Sequence, residues 1–247
     1  MNLKINNTTS FDYELLSSIL LNAADNMPVE LSDALYLVNE MAVDDRLDSL
    51  LDAARKNNIA LVHNINITPA DIAAQIWLSK PDILEAMHAE ILASKPKSFE
   101  HFRSDKAPLA NFEIPSHDII SGMQNDLDSW FIEHKRGTGC KVTLFDQGSR
   151  ICLLVRHGKP FRREGALNNG ESQTILYRPE SYDVLVYDHA DNELAINANI
   201  TKGEKVLYLE VIGRHLFGDP EYFLSENKYS LEALMLDGKS SLICSDI

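Results

Sequence analysis

The 247-residue sequence predicts an α+β fold, with an N-terminal all-α helical bundle lobe followed by a mixed, mostly antiparallel sheet lobe with two or three packed helices. Three observations support this prediction. Helical periodicity with cap signals dominates the N-terminal part, and short β-rich runs between turn residues dominate the C-terminal part. Through Lys95 there are 6 Lys and Arg against 14 Asp and Glu, whereas the remainder has 17 against 23. We therefore expect an acidic helical lobe over residues 1–95, an ordered crossover over 96–115 and an α+β lobe over 116–247.

Five short helices are predicted in the N-terminal lobe. Their expected caps or first residues are Ser10, Pro28, Asp44, Thr68 and Pro81, the first helix covering residues 11–24. The fourth start is the best defined, because Thr68 precedes Pro69 and is followed three residues later by Asp71, a capping-box spacing. Short connections make neighbouring helices antiparallel, so we expect a bundle.

Four acids recur every four residues in this lobe. They are Glu40, Asp44, Asp48 and Asp52. On one continuous helix they would form a stripe of like charges, at a cost of about 0.2–0.5 kcal/mol per pair, and would offer an acidic docking face to a basic partner. The alternative is that the helix breaks at Asp44, which then caps the next helix and leaves a solvated face.

The crossover over residues 96–115 has three prolines and no clear period, but its phenylalanines are too apolar for a free linker. Ser116 is predicted to cap a helix that ends near Lys135. A hairpin follows in CKVTLFD and RICLLVR, and then a long polar loop, HGKPFRREGALNNGES.

Three further strands are predicted in SQTILYR, YDVLVYD and ELAINAN. Thr201 and Glu204 have capping-box spacing, which favours a helix over residues 201–217. A short helix is expected through Tyr222 after Gly218. KYSLEALML and SLICSDI are predicted to form two final strands, the last with an open edge that a partner could complete.

Composition excludes several classes of function. The net charge of −14 opposes general binding to polyanions. The cysteines, Cys140, Cys152 and Cys244, form no CxxC pair and are expected to be reduced, and no apolar run is long enough to span a bilayer. No phosphate loop, GxSxG elbow or clustered metal-ligand motif is present. We therefore expect a cytoplasmic protein with no membrane contact, no cofactor and no metal.

One enzymatic alternative has candidate residues. Asp183 or Asp188, with Glu193, could hold a metal ion as in a divergent metal-dependent nuclease or other phosphodiester enzyme. The lysine expected two residues after the second acid is missing, because Leu194 and Ala195 follow Glu193.

The strongest functional feature is a basic run without acids. It contains Arg150, Arg156, His157, Lys159, Phe161, Arg162 and Arg163. Arginine forks bind carboxylate or phosphate, and the aromatic ring can stack. Contact with a partner protein, contact with nucleic acid and a solvated loop are the three alternatives.

These features favour a non-catalytic subunit of a larger protein assembly, which binds other protein subunits and could also contact nucleic acid through the basic run. The phosphodiester enzyme is the first alternative. A small-ligand sensor with a pocket between the lobes is the second.

Overall fold

A computed structural model of the chain describes residue 14 and the ranges 28–62, 67–95, 98–108, 112–168, 170–198, 202–224 and 232–242. The chain divides into two compact units, Met1–His88 and Ala89–Ile247. In the described ranges, no helix combines the length and apolar character needed to cross a bilayer. The predicted boundaries at residues 95 and 115 stay predictions.

Helices make up the described part of the first unit. They are α1 (Val29–Met41), a 3-10 turn (Asp44–Arg46), α2 (Leu47–Lys56), α3 (Pro69–Ser79) and α4 (Pro81–Ser94), the last of which continues into the second unit. The capping box at Thr68 is confirmed, since Thr68 Oγ1 accepts from the Asp71 N–H and the Asp71 carboxylate accepts from the Thr68 N–H. The predicted helix over residues 11–24 lies outside the described residues, apart from Glu14.

The second unit contains β1 (Glu100–Arg103), α5 (His117–Glu133), β2 (Lys141–Asp146), β3 (Arg150–Gly158), β4 (Arg162–Asn168), β5 (Glu171–Tyr177), β6 (Glu180–Asp188), β7 (Glu193–Asn197), α6 (Lys202–Phe217), α7 (Glu232–Asp237) and a 3-10 turn (Gly238–Leu242). Five strands form a sheet in the order β1-β7-β6-β3-β2, and β4 with β5 forms a separate ribbon. Every pairing is antiparallel. The predicted α+β class is therefore confirmed.

The interior strand β3, which lies between β6 and β2, is covered on both faces. Residues 151–155 are all buried, as a continuous apolar run predicts for a strand packed on two sides. One face belongs to the main core, which includes Leu127 of α5 and Ile212 of α6. On the other face, Cys152 and Leu154 cluster with Ala93, near the end of α4.

Three local predictions are wrong, and one strand was not predicted. The crossover contains the strand β1, which pairs with β7 more than 90 residues away in sequence. The long polar loop contains β4, which pairs with β5 along its whole length. The segment 221–223 forms a turn after Gly218 rather than a helix. Residues 232–236 of the predicted strand KYSLEALML lie in the helix α7, and Gly238–Leu242 forms a 3-10 turn. The predicted final strand SLICSDI lies outside the described residues beyond Leu242.

We predict that Gly158→Ala lowers the free energy of unfolding by about 1–3 kcal/mol, a usual cost of overpacking. Gly158 ends β3 against the backbone of Arg136, and an added Cβ would lie 2.3 Å from that carbonyl oxygen. Gly165 of β4 is the matched control, because its added Cβ would meet nothing within 4 Å. Urea denaturation of both variants checks this, and equal stabilities would contradict it.

Candidate functional site

The residues of the predicted basic run do not form one patch. Arg150, Arg156 and His157 lie on β3, whereas Lys159, Phe161, Arg162 and Arg163 lie at the start of the ribbon. Since a strand rises about 3.3 Å per residue, Arg150 and Arg156 are roughly 20 Å apart. The structure therefore separates the run into distinct settings.

Arg150 and Arg156 are both engaged with acids of β6. Arg150 Nε lies 2.6 Å from Asp188 Oδ2, and Arg156 Nη1 lies 3.8 Å from Glu180 Oε1. Arg156 also donates to the Gly139 carbonyl at 3.4 Å. These two arginines are paired with acids of the neighbouring strand, so little of their charge is available to another molecule.

The Asp188 carboxylate is stabilised by this pairing. Partial burial alone would raise the pKa of Asp188. The hydrogen bonds from Arg150 and from the N–H groups of Asp191 and Ala190 lower the pKa by more than burial raises it, so the pKa lies below its usual value. Asp188 thus holds the β6–β7 turn together, with Oδ1 accepting from Ala190 at 3.0 Å and Asp191 at 3.2 Å.

His157 points into the core, because strand alternation places it on the same face as the buried Val155. It is 4 % exposed, and its ring stacks on Phe131 with centroids 4.4 Å apart. Its Nε2 lies 3.0 Å from Asp183 Oδ2, which also accepts from the Tyr208 hydroxyl at 2.6 Å. His157 is therefore part of a buried network and not of a binding surface.

Hydrogen bonds join His157 to the backbone of its own strand as well as to Asp183. His157 Nδ1 lies 3.0 Å from the Gly158 carbonyl, which only accepts, so Nδ1 carries a hydrogen. Burial, followed by the negative charge of Asp183, raises the pKa of Tyr208 well above its usual value, which keeps the hydroxyl a donor.

A second buried pair lies at the start of α6. Arg136, just after α5, contacts Glu204 with Nη2 and Oε1 2.6 Å apart, and the Glu204 side chain is 1 % exposed. Sequence reasoning assigned Glu204 only to a helix cap, and nothing in the local pattern indicates a partner 68 residues away. Burial raises the pKa of the neighbouring Cys140 to about 12, so this thiol is a poor nucleophile.

The rest of the run lies at the base of the ribbon. Together with Arg178 it forms a group that we call the ribbon root: Lys159, Phe161, Arg162, Arg163 and Arg178. The root is fixed to the rest of the unit. The Lys159 N–H donates to the Pro179 carbonyl at 2.8 Å, and Arg178 donates to the Lys135 carbonyl after α5. The Arg178 guanidinium also lies 3.9 Å from the centre of the Phe161 ring.

The three candidate catalytic acids are not brought together. Asp188 and Glu193 are cross-strand partners on one face of the sheet, whereas Asp183 lies on the other face. Glu193 Oε1 lies 2.6 Å from His101 Nδ1. Among the described residues, no cluster of three or more His, Cys, Asp or Glu has a geometry that could hold a metal ion.

The four acids of the predicted docking face do not share a continuous helix. α1 ends at Met41 and α2 begins at Leu47, so the predicted break is confirmed. The predicted cap is wrong, because Arg46 and not Asp44 occupies the N-cap position of α2. Asp52 Oδ1 lies 2.7 Å from Arg55 Nη1, His88 Nε2 lies 3.8 Å from Glu40 Oε2, and Asp44 and Asp48 are exposed.

A surface pocket of about 430 Å³ lies beside the start of α5. Its lining residues are Phe112, Glu113, Ile114, Pro115, Ser116, Ile119 and Leu216. Five of the seven lining residues are apolar in type, and Glu113 and Ser116 are the two with polar side chains that could fix the orientation of a small ligand.

The chain matches no known family model and no curated protein.

We predict that Asp183→Ala lowers the free energy of unfolding by about 3–5 kcal/mol, because it leaves His157 and Tyr208 as buried donors without an acceptor. Adding His157→Leu should recover part of this loss, since the double variant removes both members of the pair. Chemical denaturation of the single and double variants gives the coupling energy. Additive losses would contradict the pairing.

We also predict that Arg150→Ala raises the pKa of Asp188 toward its ordinary value. Because the folded pKa is lowered, the pair stabilises the fold above the unfolded carboxyl pKa, and this contribution is lost as the pH falls through the folded pKa. A carbon-detected NMR titration of the Asp188 carboxyl measures both pKa values. An unchanged pKa would show that Arg150 is not its partner.

Proposed function

We propose that this chain is a non-catalytic subunit of a larger cytosolic protein assembly, and that its ribbon root docks on an acidic surface of another subunit. The observation that carries the proposal is the position of the ribbon. β3 and β6 are already paired up to Gly158 and Glu180, and a hairpin connection there needs only about 2–5 residues. The chain instead places the whole ribbon between them.

The ribbon adds nothing to the core. None of its described side chains is buried, and Leu167 and Leu176 are 81 % and 66 % exposed. A two-stranded ribbon is at best marginally stable in water. Apolar side chains held in solvent by an otherwise dispensable insertion are typical of an interaction surface.

The chemistry of the root favours an acidic partner. Within the described residues, no carboxylate lies within ion-pair distance of Lys159, Arg162 or Arg163, although Arg163 donates to Thr174 Oγ1 at 2.9 Å. Phe161 is 63 % exposed beside them. Arginine with an aromatic anchor is the combination enriched in protein interfaces, so an acidic surface with an apolar recess fits this group.

A protein partner is favoured over nucleic acid. The three available cations of the root lie on a chain with a net charge of −14, and the ribbon itself carries Glu164 and Glu171. Nucleic-acid affinity grows with the number of phosphates neutralised, and three contacts give little of it.

We predict that Arg162→Glu with Arg163→Glu abolishes capture of a specific partner protein from the native host. Reversing these charges sets like charges against the acidic surface, which costs several kcal/mol at an interface. Affinity capture with quantitative mass spectrometry, followed by a binding titration with the purified partner, measures the loss.

The matched control is Arg103→Glu with Lys141→Glu, which changes the net charge equally at exposed strand positions of the same unit. The proposal fails if wild type captures no partner, or if both double variants lose it equally. Binding to an oligonucleotide that depends on Arg162 and Arg163, without a protein partner, would favour nucleic acid instead.

A further inference from the structure

One edge of the ribbon is open. All seven residues of β5 are exposed, and β4 pairs with one side of the strand along its full length. In the part of the chain that the structure describes, no backbone hydrogen bond joins the other side of β5 to another segment. Because alternate residues of an antiparallel strand direct N–H and C=O groups to each side, this edge is a template for a further strand.

The two edge strands of the five-stranded sheet differ from β5, because each forms hydrogen bonds to another segment of the chain. At the β1 edge, the Arg103 carbonyl accepts from the Leu224 N–H at 2.9 Å. At the β2 edge, the Val142 N–H donates to Gln124 Oε1 of α5 at 2.8 Å. Both outer strands of this sheet thus have edge backbone groups that form hydrogen bonds within the chain, whereas no such bond is found at the outer edge of β5 in the described residues.

The composition of β5 suits it to pairing. Natural edge strands are protected by charged residues, above all lysine, by proline, by bulges or by short length. The seven residues ESQTILY have only one of these features, the charge of Glu171 at the end of the strand. Thr174, Ile175 and Tyr177 are good strand formers. β4 is less suited, because Gly165 lies at its centre and two arginines at its start.

We infer that two copies of this chain associate by antiparallel pairing of β5 with β5 of the second copy, which joins the two ribbons into a four-stranded sheet. Thr174 is the middle residue of β5. A two-fold axis that passes beside Thr174 therefore allows all seven residues of the strand to pair. Thr174 then faces itself across the axis, Gln173 faces Ile175 and Glu171 faces Tyr177. No two like charges meet, and the pairing is closed and isologous.

The pairing would also stabilise the ribbon, because a two-stranded ribbon is at best marginally stable in water, whereas a sheet of three or more strands can be stable. It goes beyond the proposed function, because it uses the edge of β5 and leaves the ribbon root of each copy free. The two roots would lie at opposite ends of the joined sheet, since each Tyr177 lies opposite the other copy's Glu171.

The two-fold register gives a specific test on the full chain. Light scattering and sedimentation of the wild type should show a mass twice the 27.8 kDa of one chain, which falls toward that of the monomer on dilution. Thr174→Lys and Thr174→Glu should each raise the dimer dissociation constant by about tenfold or more, because like charges meet at the axis. An equimolar mixture of the two variants should dimerise again, because opposite charges then face each other.

Ala166→Lys and Ala166→Glu, on β4 of the same ribbon, are the controls and should leave the dimer intact. Circular dichroism shows whether every variant is folded. A wild type that is monomeric at all concentrations overturns the inference, as does a dimer that both Thr174 variants retain or a mixture that stays monomeric. The proposed function fails separately, because it is tested by partner capture. Since Arg163 donates to Thr174 Oγ1, the mass of the Arg162 and Arg163 variant in sedimentation is measured beside its capture of the partner.

Discussion

The pairing of β3 with β6 is the interaction on which the second unit depends. It runs over nine residues, from Arg150 opposite Asp188 to Gly158 opposite Glu180. Each of the two strands is buried along much of its length, and the helices α5 and α6 pack on one face of the sheet they form. At one end of this pair the connection extends into the ribbon, so the direction of the ribbon follows from how these two strands are held.

Two pairs of buried or half-buried polar groups lie near that same end. His157 and Asp183 join the two strands, Tyr208 joins them to α6, and Arg136 joins the end of α5 to Glu204. Buried pairs of this kind contribute little net stability compared with apolar residues of the same size. They do require specific partners, as the contacts of Asp183 with His157 and Tyr208 show, and such a requirement favours a single arrangement over several similar ones. Their effect here is to fix one relative position of α5, α6 and the strands from which the ribbon extends.

The sequence predicts best the elements that are determined locally. The capping box at Thr68, the cap at Ser116 and the β2–β3 hairpin all depend on residues close together, and all are found as expected. β1 is missed because it has only four residues and its partner lies far along the chain. β4 is missed because both of its faces are in solvent, so RREGALN has no apolar alternation. The predicted strand in KYSLEALML is helical over Glu232–Asp237, because EALMLD is rich in residues with high helix propensity.

The basic run shows why a candidate site is harder to predict than a fold. A count of charges treats Arg150, His157 and Arg162 alike, yet the structure places them in an ion pair, a buried network and an exposed root. Whether a cation of the run is available to a partner depends on whether a carboxylate of the same chain lies within ion-pair distance of it. That distance depends in turn on which strands are neighbours in the sheet. Asp188 reaches Arg150 only because β6 lies beside β3, with the whole ribbon between them in sequence. Within the basic run, the cations that have no carboxylate partner among the described residues are therefore set by the topology, and they are the ones that lie at the ribbon root.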